Sequence, residues 1–112
     1  MSTAVALNEI VKTYQNYGWT LRRVILTAET RQRLVGEIAV IEKSVLIETA
    51  DINALWFSRQ NGDNEAWELR ALNSSPYALF ESFAADIPSI ERERVRREME
   101  ERLKKQTAKF SI

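Results

Sequence analysis

The sequence predicts an α+β domain built around a small mixed sheet of about four strands, arranged in two layers. Three observations support this class: helical spacing near the start, strand-like alternation in the middle and a highly charged helical segment near the end. The predicted order is α-β-α-β-β-β-(β or α)-α, and the length of 112 residues is that of a single domain, residues 1–112. The strand–helix–strand unit is long enough for a right-handed crossover and should contain one parallel pair.

The first helix is predicted because apolar side chains recur at helical spacing, at Leu7, Ile10, Val11 and Tyr14. Gly18 should end this helix, since glycine readily adopts the left-handed conformation of a C-terminal cap. Residues 19–27, "WTLRRVILT", are rich in β-branched and aromatic side chains and predict a strand.

Two adjacent arginines lie in the middle of this strand. Because successive strand residues point to opposite faces, Arg22 and Arg23 are expected on different faces of the sheet. The structural interpretation is that one of them lays its stem on the sheet and reaches an acidic partner, for which the candidates are Glu48, Glu68 and Glu81. The functional alternative is a guanidinium that is presented to an anion.

Three further segments complete the central region. Thr27 can cap a second helix over about residues 28–39, and residues 44–52, "SVLIETADI", alternate as a strand. Residues 78–84, "ALFESFA", are short and apolar, so they are ambiguous between strand and helix. We expect the first two helices on one face of the sheet, and the last helix either across the sheet or projecting from it.

The stretch "ALWFSRQNGDNEAWELRAL", residues 54–72, predicts a hairpin because its centre is rich in Asn, Gly and Asp. A turn centred on Asn-Gly would pair Trp56 with Trp67, whereas a turn centred on Gly-Asp would pair Trp56 with Leu69. In either register both tryptophans share one face, where cross-strand aromatic contacts stabilise the sheet. The tryptophans are therefore interpreted as core residues.

The opposite face of the hairpin alternates apolar and charged side chains, and it includes Phe57, Arg59 and Arg70. Alternation of this kind is typical of a sheet face that is partly exposed to solvent. If the hairpin contacts a partner, the face with Arg59 and Arg70 is the predicted contact. Stacking of nucleic-acid bases is less favoured, because acidic residues adjoin these arginines.

The final helix is predicted over about residues 89–106, where glutamates and basic residues alternate. Its apolar residues form a thin line, Val95, Met99 and Leu103, which is narrower than the usual core-facing stripe. Three interpretations follow: light packing on its own domain, one half of a homodimer seam, or contact with nucleic acid through its arginines. Five interleaved glutamates weaken the third.

The composition excludes several chemistries. With no histidine and no cysteine, the chain cannot form a Ser-His-Asp triad, a Cys-His pair or an ordinary structural zinc site. It contains no phosphate-binding glycine-rich loop and no recognised catalytic motif. No catalytic residue, cofactor, metal ligand or small-molecule ligand is therefore predicted, although an enzyme that uses carboxylates alone stays open.

The sequence also bears on location and charge. No window of about 18 residues is continuously apolar and no secretory signal is recognised, so we expect a cytoplasmic protein without a membrane span. The formal net charge is zero, but residues 1–36 and 89–112 each carry a net charge of +3, against −6 for residues 37–88. An excess of three is small beside the phosphate contacts of a committed DNA-binding protein.

The sequence therefore predicts a non-enzymatic interaction module that binds another protein or forms a homodimer. The predicted contact residues are Phe57, Arg59, Arg70, Val95, Met99 and Leu103. One alternative is a weak RNA- or DNA-binding module that uses Arg59, Arg70 and the basic termini. A further alternative is a carboxylate-only enzyme.

Overall fold

The computed structural model describes residues 3–41, 43–72 and 77–109. Its elements, in chain order, are α1 (Thr3–Asn16), β1 (Thr20–Leu26), α2 (Ala28–Arg33), α3 (Val35–Ala39), β2 (Leu46–Thr49), β3 (Ala54–Asn61), β4 (Asn64–Ala71), β5 (Ala78–Ala84) and α4 (Ser89–Lys109).

The strands form one mixed sheet in the order β2-β1-β3-β4-β5. Strands β1 and β2 are parallel, and every other neighbouring pair is antiparallel. The predicted α+β class, with one parallel pair across the first crossover, is confirmed. The sheet has five strands rather than about four, because residues 78–84 form a strand that pairs with β4.

Helices cover both faces of the sheet. Leu55 and Phe57 pack with α1 on one face, whereas Trp56 packs with Met99 and Leu103 of α4 on the other. The expected two-layer arrangement is therefore corrected to three layers. The physical reason lies in β3, whose first five residues are all buried, since a strand that is apolar on both faces requires cover on both.

The hairpin between β3 and β4 adopts the second of the two predicted registers. Trp56 lies opposite Leu69, and the turn is centred on Gly62 and Asp63. Gly62 has a φ of 63°, a conformation that costs glycine little and other residues more. Trp56 is fully buried and its ring contacts that of Trp67 edge-to-face at 5.9 Å, which confirms the interpretation of both tryptophans as core residues.

The helices on the first face begin and end close to the predicted positions. Gly18 follows α1 with a φ of 86°, as expected for a glycine at the end of a helix. The Thr27 side chain accepts a hydrogen bond from the Thr30 amide at 3.2 Å and so caps α2. The predicted single helix over 28–39 is divided at Leu34, where ψ rises to 20°.

Candidate interaction surface

A β-bulge in β1 places Arg22 and Arg23 on the same face of the sheet. Leu21 lies opposite Phe57 and Arg23 lies opposite Trp56, so Arg22 is an extra residue in the strand. Arg22 donates to the Ser58 hydroxyl at 2.7 Å, on the face that α4 covers. The expectation that the two arginines point to opposite faces is wrong, because it assumed a regular pleat.

Arg23 lies between two carboxylates. Its guanidinium is 3.4 Å from Glu48 on β2 and 3.2 Å from Glu93 on α4. The Arg96 side chain also donates to Glu93, at 2.8 Å, and together these cations lower the pKa of Glu93 to about 2. The structural interpretation of this arginine, including Glu48 as its partner, is confirmed.

The predicted apolar line of α4 lies against the chain's own sheet. Met99 and Leu103 are almost fully buried, and Val95 packs at the edge of the same cluster. The Trp56 indole N–H donates to Glu100 at 2.9 Å, and the Arg96 guanidinium lies 4.6 Å from the centre of the Trp67 ring. Of the three interpretations of this helix, packing on its own domain is the one observed.

Phe57 is also a core residue of the subunit. It is fully buried on the α1 face, where its ring stacks on Tyr14 at 4.1 Å. Phe57, Met99 and Leu103 therefore have no surface to present to a partner in this fold. Among the predicted contact residues, Arg59 is exposed, while Arg70 and Val95 are partly buried.

The two hairpin arginines are engaged by their own chain. Arg59 donates to the Tyr17 carbonyl at 3.1 Å, and its guanidinium lies 5.9 Å from the centre of the Trp19 ring. Arg70 donates to the Ala71 carbonyl. The structure thus brings Arg59 beside the Trp19 ring and the backbone of Tyr17, a contact that no local sequence pattern indicates.

The outer edge of β5 is open in the part of the chain that the structure describes. The Ala71 amide donates to the Tyr77 carbonyl at 2.9 Å, so these two residues form a hydrogen-bonded pair across β4 and β5. Because such pairs alternate in an antiparallel ladder, the backbone groups of residues 79, 81 and 83 also point to β4. Those of residues 78, 80, 82 and 84 point outward.

An exposed aromatic side chain lies beside this edge. Phe80 is 57% exposed on the α1 face, and its ring contacts that of Trp19 edge-to-face at 6.4 Å. We call the outward backbone of β5, together with Phe80, Trp19 and Arg59, the β5 surface. The sequence does not predict this surface, because "ALFESFA" is too short to distinguish strand from helix, although the segment contains no Pro or Lys to protect an edge.

Two concave regions lie elsewhere on the α1 face. A groove of about 590 Å³ runs between α1, α3 and the start of β1, and its lining includes Val11, Lys12, Glu37 and Ile41. Its charged lining residues, among those described, are Lys12, Arg22 and Glu37, so it offers two cations and a single carboxylate.

The second concave region is a cleft of about 190 Å³ that contains Tyr14 and Glu68. Burial, followed by the hydrogen bond to Glu68, raises the pKa of Tyr14 well above its usual value. A phenol held protonated in this way is poorly suited to act as a base. Within the described ranges, no group of three potential ligands could hold a metal ion.

The fold and the surface together define a three-layer α+β domain whose sheet has an open edge at β5. No protein-family model, curated protein or solved structure matches this chain. Among the helices of the described residues, none is long and apolar enough to cross a membrane.

Proposed function

We propose that this chain is a non-enzymatic self-association module in which two copies meet through the β5 surface. The observation that supports the proposal is the open edge of β5, where the outward N–H and C=O groups of residues 78, 80 and 82 can pair with another strand. The Ala84 carbonyl, at the end of the strand, already accepts a hydrogen bond from the Ile87 amide at 3.2 Å. An unprotected edge strand is a template for strand addition, and main-chain hydrogen bonds then supply the affinity.

The contact differs from the one predicted from sequence. The apolar line of α4 and Phe57 pack inside the subunit. The proposed contact therefore uses Phe80 and Arg59, which lie outside the core. The opposite edge of the sheet is a weaker candidate, because β2 has only four residues whereas β5 has seven.

Light scattering over a range of protein concentrations tests this proposal. We expect the apparent mass to rise from one to two copies, and we expect Phe80→Lys to shift the protein to a monomer because a lysine opposes edge pairing. Leu46→Lys is the matched control, since Leu46 is 52% exposed on the opposite edge and Phe80 is 57% exposed. A wild-type monomer at all concentrations would contradict the proposal.

The cytoplasmic location expected from the sequence belongs to the same proposal. Cell fractionation with an antibody against the chain would test it, and recovery in a membrane or secreted fraction would contradict it.

A second candidate function, binding of single-stranded nucleic acid, is favoured by one observation. Phe80 and Trp19 form an aromatic pair beside the Arg59 guanidinium, and aromatic rings with basic neighbours are a common platform for stacking bases. Titration of Trp fluorescence with a mixed-sequence oligonucleotide at about 50 mM salt would test it. The absence of any change would remove this candidate, whereas binding that Phe80→Ala weakens would support it.

A further inference from the structure

The direction of the β5 backbone groups limits how two copies can pair, if the proposed self-association holds. Only residues 78, 80, 82 and 84 present N–H and C=O groups outward, as the bond between Ala71 and Tyr77 requires. In a symmetric antiparallel pair, a residue of this set that joins the ladder must face another residue of the same set. The two-fold axis then passes through Phe80, Glu81 or Ser82 if most of the strand is to pair.

Charge distinguishes these three registers, because β5 carries a single charged residue, Glu81. The ion pairs among the described residues do not include it. An axis at Glu81 would place this carboxylate directly opposite its symmetry mate, and like charges in that position destabilise a sheet. An axis at Phe80 would place it opposite Leu79 of the partner subunit, beside an apolar side chain.

An axis at Ser82 would instead place Glu81 opposite Phe83 of the partner subunit. The Arg92 guanidinium lies 5.7 Å from the centre of the Phe83 ring, on the same face of the sheet as Glu81. Arg92 uses Nη1 to reach Glu65 at 3.2 Å, and its side chain is still 24% exposed. This register therefore brings a carboxylate that has no ion-pair partner among the described residues toward a partly exposed guanidinium.

The same register also matches the sizes of the side chains on the other face. Phe80 lies opposite Ala84 of the partner subunit, so that the exposed ring covers a small residue. We propose that two copies of this chain pair their β5 strands antiparallel about an axis at Ser82, with Glu81 of each copy directed at the Arg92 guanidinium of the other.

Single cysteines test the register directly, because the natural chain has none. In the proposed dimer the two Ser82 Cα atoms form a hydrogen-bonded pair about 5.5 Å apart, within the range that a disulfide spans. The two Glu81 Cα atoms would be about 8 Å apart and the two Phe80 Cα atoms about 14 Å apart, which is too far. Under mild oxidation we expect Ser82→Cys to form a linked dimer, and Glu81→Cys and Phe80→Cys to stay unlinked.

Charge reversal gives a second, independent readout. Glu81→Arg would place two guanidiniums near each other at both ends of the pairing, so we expect the Kd of the dimer to rise about tenfold. Glu98→Arg on the exposed side of α4 is the control, with an unchanged Kd. Circular dichroism would confirm that each variant is folded.

The outcomes separate this inference from the proposed function on which it rests. Suppose that the natural protein is a dimer. If Glu81→Cys or Phe80→Cys forms the linked species, or if none of the three cysteine variants does, the register is overturned while self-association stands. A dimer whose Kd is unaffected by Glu81→Arg would overturn the contact with Arg92. A monomer at every concentration would overturn both.

Discussion

Arg23 on β1 and Glu93 on α4 form an ion pair across the interface between the sheet and the final helix, with 3.2 Å between Nη2 and Oε2. Seventy residues separate them in the chain. Glu48 approaches the same guanidinium from β2, so one arginine joins the parallel strand pair to the C-terminal helix. This contact depends on the bulge at Arg22, which turns both arginines toward α4.

We expect Arg23→Ala to lower the free energy of unfolding by about 1–3 kcal/mol, because it leaves two partly buried carboxylates without their shared cation. Arg94→Ala is the matched control, since Arg94 is exposed and its loss should destabilise the protein much less than the loss of Arg23. Urea unfolding measures both variants. Equal effects of the two substitutions would show that the Arg23 contact has no special role in joining the layers.

The protonation of Glu93 should make stability depend on acid pH. Hydrogen bonds from Arg96 and Arg23 lower its pKa from 4.5 to about 2 in the folded protein. The carboxylate therefore stabilises the fold fully above pH 4.5, and this contribution is lost as the pH falls from 4.5 toward 2. Because Glu93 is about one-third exposed, screening limits the effect to about 1–2 kcal/mol.

The variant Glu93→Gln isolates this contribution. It should be less stable than the natural protein at pH 7, and the difference should shrink as the pH approaches 2. Urea unfolding across this range measures the difference. A difference that stays constant with pH would exclude Glu93 as its source.

The pKa of Glu100 shifts in the opposite direction to that of Glu93. Burial raises it, while the hydrogen bond from Trp56 acts against this rise. Glu100→Gln keeps an acceptor for the indole N–H and removes the cost of burying a charge, so we expect stability at pH 7 to change by less than about 1 kcal/mol. Glu100→Ala leaves that N–H without its acceptor and should cost about 1–3 kcal/mol. If both variants lost the same amount, the hydrogen bond would not be the stabilising feature.

Replacing two glycines by alanine should change the stability of the protein in opposite directions. Gly62 has a φ of 63° in the hairpin turn, and Gly62→Ala should destabilise the protein by about 1–2 kcal/mol because a Cβ is strained there. Gly36 lies inside α3 without a positive φ, and a Cβ added to it meets no atom within 4 Å. Gly36→Ala should therefore stabilise the protein by about 0.5–1 kcal/mol. Thermal unfolding of both variants checks the contrast, and equal signs would contradict it.

Much of the fold could be predicted locally. The helical spacing from Leu7 to Tyr14 correctly predicted α1. The Asn-Gly-Asp run correctly predicted the hairpin with both tryptophans on one face. Periodicity is a property of a few neighbouring residues, so it can be recognised without knowing the rest of the chain. The division of the second helix at Leu34 was not predicted, because its residues favour helix on both sides of that point.

The candidate surface was less accessible from sequence. The thin apolar line of α4 suggested a partner, but Met99 and Leu103 meet the buried face of β3 and β4 instead. Phe80 and the outward backbone of β5 depend on which strand ends the sheet, and no local pattern contains that information.

The sequence by itself determined the class of the fold, the identity of most elements and the side of the hairpin on which each tryptophan lies, because these follow from short-range periodicity. The tertiary structure alone decided the bulge at Arg22, which helix covers each face of the sheet and the open edge at β5. Each of these depends on contacts between distant segments, as when Glu93 of α4 reaches Arg23 of β1.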